Sequence, residues 1–322
     1  MVGFIALNLA ALGVLLAYTI WLAFPPSEAV RLRNALLLRR QTDVDFSWTP
    51  DTVPADFRKE RLPASADYAT IVQSLGVSEM RLDWDKARTL AAHLVMHAAD
   101  KGPIRSDLST TYRRMQQGYG YCADFVKVYL GLAHASGLFA RQWAFSFDGF
   151  GGHGHTFVEV YDRQRTRWIF IDVFNNFHAI DTAGGGALSA LEFRDFATGK
   201  REGVAMRPNG PGRLGFIHEA KALDYYRRGA PEWYMWWGNA VFSLYAHPLV
   251  RAAGRVSRSV AHVIAIVMGL HPKMQIYPLT ENREQARRMI ELRRRLYWIG
   301  AILLALVASL GAQLALADAA RG

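Results

Sequence analysis

The sequence predicts an α+β domain carried between two membrane-spanning helices, and three observations predict it. Apolar runs stand at residues 3–24 and 297–317, helical periodicity fills 84–136, and alternating aromatic and β-branched runs follow up to residue 174. Each apolar run is free of charge and reaches the roughly 20 residues that a helix needs to cross a hydrocarbon core of about 30 Å. The first does not read as a signal peptide. It has no basic start, its apolar stretch is too long, and the PPSEAV that follows is a poor small-residue cleavage site.

Between these runs, residues 41–66 hold TP, VP and LP without a sustained period and read as an extended lead-in. Residues 84–99, WDKARTLAAHLVMHAA, set Leu90, Leu94 and Val95 at helical spacing with Asp85 near the start. His93 and His97 fall one turn apart on this helix, but no third ligand is supplied, so they read as helix-surface histidines. A second helix is predicted over 105–117, interrupted by Gly118 and Gly120, and a third from Cys122 to Gly137. The period then changes. ARQWAFSF, HTFVEVYD and RWIFIDVF, separated by DGFGG and RQRT, read as an antiparallel meander, and helices followed by strands indicate α+β rather than a doubly wound sheet. Beyond them, PEWYMWWGNAVFSLYAHPLV is densely aromatic and SVAHVIAIVMGL is apolar but short. Neither makes a span, and 231–270 reads as an interfacial region, with a re-entrant or third crossing as the alternative. The chain thus divides into a transmembrane helix (1–25), a basic and extended lead-in (26–83), a catalytic-type domain (84–230), an aromatic interfacial region with a basic helix (231–296) and a second transmembrane helix (297–318).

At 322 residues, 51% hydrophobic and 12% aromatic, the chain can bury a substantial core. Its net charge of +10 suits nucleic acid, an anionic membrane or acidic substrates, and the distribution decides among them. Arg31, Arg33, Arg39 and Arg40 follow the first apolar run, and Arg283, Arg287, Arg288, Arg293, Arg294 and Arg295 precede the second. With no zinc-finger spacing or RNA-binding aromatic signature beside them, the expected partner is the lipid bilayer and not nucleic acid. No Lys or Arg precedes the first run and only Arg321 follows the second. The positive-inside rule then sets the central domain in the cytoplasm of a two-pass inner-membrane protein, with both ends outside. Because long loops translocate regardless of charge, a periplasmic domain is the alternative.

Cys122, in GYGYCADFV, is the only cysteine. It cannot form an intramolecular disulfide, and a helix N-terminus favours the thiolate. Gly118 and Gly120 allow a tight turn before it and keep bulk from the sulfur, while Asp124 reads as a first-turn acid. His155 opens one predicted strand and Asp172 lies in the next. A tight turn at Arg163 and Gln164 sets the two directly opposite, and a turn two residues longer sets them diagonal on the same face. A slip of one residue separates them. The pattern permits an imidazole held by a carboxylate and aimed at a thiol. GGHGH, with His153 and His155, and His178 further on, offers a zinc alternative, but Cys122 would complete it only by ceasing to be a nucleophile. No metal or other cofactor is expected. Asn175 and Asn176 are candidates to assist the thiol, imidazole and carboxylate, but two asparagines after a strand read first as a turn.

In this order and at these intervals, GYGYCADF, HTFVEVY and RWIFIDV resemble the transglutaminase-like superfamily. The resemblance covers approximately 84–177, and GLFARQW fits the family's run into its first strand. It implies a papain-like fold, with a Cys-bearing helix packed on an antiparallel sheet, and a triad of Cys122 as nucleophile, His155 as general base and Asp172 as its orienting partner. Val173 follows the aspartate where proline is common, and Phe157 stands where tryptophan is usual. For the oxyanion, the backbone N–H of Cys122 and the side chains of Gln116 or Gln117 remain candidates. The implied activity is acyl transfer from a peptide or other amide or ester substrate, as a protease, amidase or transamidase. The rival reading is a non-catalytic binding or assembly module of a membrane protein complex, handling cell-envelope polymers, with 231–245 as its contact surface.

Overall fold

The computed structural model describes residues 2–40, 44–104, 106–256 and 258–319. The apolar runs form α1 (Val2–Leu22) and the distal part of α12 (Arg283–Ala319). Only 6% of the apolar window of each is buried, so neither is the core helix of a soluble domain. They pack on each other, and Asn8 Nδ2 donates to Ser309 Oγ at 2.9 Å. Among the described residues, two helices are long and apolar enough to span a membrane. The basic segment before the second span is not a separate helix: α12 runs unbroken from Arg283. Arg321 lies outside the described residues.

After α1 comes α2 (Pro26–Leu37), with Pro26 in its first turn where a missing N–H costs nothing. The lead-in at 44–65 forms neither helix nor strand but runs through turns and bends, and it supplies Phe46, Trp48 and Phe57 to the core. Helices α3 (Ala66–Ser74), α4 (Asp83–Val95), α5 (Leu108–Met115) and α6 (Cys122–Ala135) precede three strands, β1 (Ala140–Ser146), β2 (Gly154–Asp162) and β3 (Arg167–Ile171). The meander is antiparallel and shares one five-stranded sheet with β6 (Trp233–Trp237) and β7 (Lys273–Ile276), in the order β3-β2-β1-β6-β7. Between β3 and β6 lie β4 (Phe177–Asp181), α7 (Ala190–Ala197), β5 (Val204–Pro208) and α8 (Glu219–Gly229), with β4 and β5 forming a second, two-stranded sheet. Short helices α9 (Phe242–Ala246), α10 (Pro248–Val256) and α11 (Arg258–Val267) connect β6 to β7.

The alternation along the strands sorts two cores. Val158, Val160 and Ile171 meet Val126, Tyr129 and Leu130 of α6, while Phe157, Phe170, Trp143 and Trp233 form an aromatic layer on the other face. Covered on both sides, the central strands read as nearly continuous apolar runs.

That fact corrects the expectation for 231–245. Trp233, Met235 and Trp237 are at most 1% exposed and Tyr234 and Trp236 at most 8%, so WYMWW is an interior strand between β1 and β7 and not a headgroup-level segment. Aromatic side chains suit both settings, and only the pairing partner distinguishes them. The apolar SVAHVIAIVMGL is mostly α11, whose ten residues rise about 15 Å, half of a hydrocarbon core, so it is not a third crossing. Its exposed Val263 and Val267 are what remains of an apolar surface there.

Candidate active site

Helix α6 begins at Cys122 because the preceding chain turns sharply. Gly118 and Gly120 have φ of +90° and +112°, where a side chain is strained, and a Cβ at Gly118 would lie 2.9 Å from the Ala99 side chain. A Cβ at Gly120 would press on Phe125 and Met115, so Gly118 makes room for the 97–101 segment and Gly120 for the core beneath the helix, rather than for the sulfur. Asp124 closes the helix start: its carboxylate accepts from the backbone N–H of Tyr121 at 3.0 Å and of Ile104 at 3.1 Å. It is a structural acid, as the sequence indicates. Cys122 is left half-buried.

His155 and Asp172 come together by the longer of the two turns. The register pairs Val158 with Ile171 and Asp162 with Arg167, closing the loop over 163–166. Asp172 therefore lies diagonal to His155. His155 Nε2 meets Asp172 Oδ2 at 2.7 Å, with both residues buried. Asp172 is further held by the Asn175 N–H at 2.9 Å, by Asn175 Nδ2 at 2.8 Å and by the Tyr226 hydroxyl, and Asn209 Nδ2 donates to its carbonyl at 3.1 Å. Nε2 is thus engaged, and the Cys122 side chain lies near enough to the same imidazole to act on it electrostatically.

The electrostatics follow from this packing. Burial alone disfavours the charged imidazole, but the Asp172 carboxylate and then the Cys122 side chain outweigh it, and His155 is pushed up to about 10. Asp172 is buried as well, which favours its protonated form, yet the imidazolium and the donors from Asn175 and Tyr226 hold it below its ordinary range. Burial and the Asp172 charge keep the Tyr226 phenol protonated. Tyr225 packs edge-on to His155 at 5.7 Å between centroids.

The sequence favours a turn for Asn175 over help to the triad and singles out neither Tyr226 nor Asn209. Asn175 does occupy a turn, with Asn176 at φ +58°, but its amide also anchors the carboxylate. Its place three residues after Asp172 was the available signal. Tyr226 and Asn209 lie 54 and 37 residues from Asp172, and no local pattern marks them.

The other histidines disperse. His153 is exposed and pairs with Asp148 at 3.1 Å. His178 lies against Trp84 and bonds Asn209, and burial brings it down to about 4. His93 meets the Tyr112 hydroxyl at 2.8 Å. Among the described residues no cluster of three or more His, Cys, Asp or Glu is arranged to hold a metal ion. Of the two glutamines, Gln117 is exposed and its Oε1 accepts from Arg114, whereas Gln116 Nε2 is buried with no hydrogen-bond partner among the described residues.

Residues 70–173 match the model of the transglutaminase-like superfamily, and the matched segment contains Cys122, His155 and Asp172. The chain carries a transglutaminase-like domain. No curated protein and no solved structure gave a match. The superfamily covers cysteine-based acyl transfer and hydrolysis. In this transglutaminase-like domain the matched segment ends within the sheet, and β6, β7 and Tyr226 lie beyond it.

Proposed function

We propose that this is a membrane-anchored thiol enzyme that transfers or hydrolyses acyl groups through Cys122. The observation that carries the reading is the buried His155–Asp172 pair at 2.7 Å, with the Cys122 side chain near enough to help hold the imidazole charged. The Cys122 thiolate attacks an amide or ester carbonyl, forming a C–S bond, while the charged imidazole gives its proton to the departing amine or alcohol. Water or an amine then attacks the thioester, His155 takes its proton, and the thiolate leaves. Asp172 holds the imidazole by Nε2 throughout. The backbone N–H of Cys122 and the unpartnered Nε2 of Gln116 are the donors for the oxyanion. An imidazolium beside the sulfur is the setting that activates a cysteine.

The test is alkylation by iodoacetamide across pH. In the wild type, Cys122 labels rapidly at neutral pH, and the His155→Ala variant shifts labelling toward the roughly 8.5 of an ordinary thiol. Identical profiles in the two proteins would remove the mechanism and leave a binding module.

The domain lies on the cytoplasmic side of an inner membrane in this reading, because the arginines flank the domain-proximal ends of both spans. A reporter active only outside the cytoplasm, fused at about residue 200, is expected to stay silent; strong activity would move the active site to the periplasmic face.

A further inference from the structure

The two arginine clusters are some 240 residues apart in sequence, and part of each meets in one cavity. A space of about 490 Å³ opens between the end of α2, the end of β7 and the first turns of α12. Arg39 and Arg40 enter it from the first cluster, and Arg283, Arg287 and Arg293 from the second, with no Asp or Glu in the wall. Arg39 pairs with Asp56 and Arg287 with Glu291. Arg293 donates to the Leu38 carbonyl at 2.8 Å, and Arg40 and Arg283 make no ion pair among the described residues. Glu284, in the first turn of α12, is held away by Arg288.

Beside Gln275, Thr280 and Asn282, the rest of the wall is apolar. Leu38, Ile276, Leu279 and Ile290 line it, and Ile290 is 46% exposed. Membrane flanking alone explains arginines that point outward at headgroup level; it does not explain three without an ion-pair partner among the described residues converging on a partly apolar hollow. Arg293 stands four residues before the start of the apolar run, about 6 Å along the helix, so one wall of the cavity lies close to that run.

We propose that this cavity binds a phosphate-headed amphiphile. Guanidinium groups recognise phosphate by paired N–H donors, and the apolar wall takes the alkyl chain. The head lies between Arg40, Arg283 and Arg293, and the chain runs over Ile290. Such a ligand comes either from the bilayer, as an anionic lipid, or from solution, as a free alkyl phosphate.

Native mass spectrometry of the full chain released from uncharged micelles tests this, after incubation with inorganic phosphate, octyl phosphate or phosphatidic acid. The expected result is a one-to-one adduct with at least one of the two amphiphiles and none with phosphate alone. The larger occupancy identifies the source, phosphatidic acid for the bilayer and octyl phosphate for solution. In the doubly substituted Arg40→Ala, Arg283→Ala protein, both positions being exposed, occupancy falls at least tenfold while the thermal midpoint is unchanged. Ile290→Asn weakens the amphiphile adduct without creating one for phosphate. Absence of any adduct, equal occupancy in the arginine variant, or an inorganic phosphate adduct matching that of octyl phosphate overturns the proposal.

Discussion

Strand β2 carries two buried acid–base pairs four residues apart, and they are built to opposite ends. At Glu159, Oε2 accepts from Arg141 Nε at 2.7 Å and from Trp143 Nε1, while Oε1 accepts from the Ala190 N–H at 2.6 Å. The Arg141 guanidinium is sandwiched against Trp168 at 3.8 Å and Trp48 at 4.8 Å. Every oxygen of that carboxylate is spent on the scaffold. At His155 the acid is equally saturated, by Asn175, Tyr226 and the imidazole, but the base also has the half-buried Cys122 thiol near it. A buried ion pair with both members enclosed joins pieces of structure, here β1, β2 and α7. One with a thiol near it is the arrangement that the proposed acyl transfer needs. Burial and distance alone do not distinguish them.

Breaking the second pair has the larger effect on turnover. Asp172→Asn keeps the hydrogen-bonding shape but supplies no negative charge, and turnover is expected to fall roughly ten-thousand-fold on whatever substrate is used, with Cys122 still alkylated. Comparable turnover in the variant would mean that Asp172 only supports the fold.

Breaking the first pair strikes stability instead. Arg141→Met leaves Glu159 buried with its charge uncompensated, and chemical denaturation is expected to register a loss of about 3–5 kcal/mol with activity per folded molecule retained. If activity fell and stability did not, the division between the two pairs would collapse.

The smallest expected effect is a pH dependence. His155 is raised to about 10, so its contribution to stability is fully present below its ordinary value of 6.5 and fades as pH rises through about 10. Asp172 is lowered, so its share appears above its ordinary 3.8 and is lost as pH falls. The stability difference between wild type and His155→Gln should therefore be largest between these limits and shrink on either side. A difference independent of pH from 5 to 10 would deny the pair its charges.

How much of this was legible follows from where each signal lives. The helix–strand order, the nucleophile and both partners on one strand face stand in local patterns, and the uncertainty over the turn was bounded to two registers, of which the longer is found. Tyr226 and Asn209 reach Asp172 only through the fold, from outside the periodicities that mark strands. The misreading of WYMWW has the same root: composition describes a residue's preference for an environment, and two environments share the preference. The two arginine clusters were seen as flanks because nothing in the sequence states that they converge.

The hydrogen bond from Asn8 to Ser309 spans 301 residues, and that separation imposes an order on biogenesis. At about 5–20 residues per second, the ribosome takes roughly 15–60 s to go from one partner to the other. During that interval α1 has no partner helix. Strands β1 to β3 and the helix that carries Cys122 emerge and can pair, while β6 and β7, which complete the sheet, are still to come. The contact between α1 and α12 is therefore the final piece of tertiary structure to close, and a chain stalled before residue 309 would hold a nearly finished domain with its first helix unpaired.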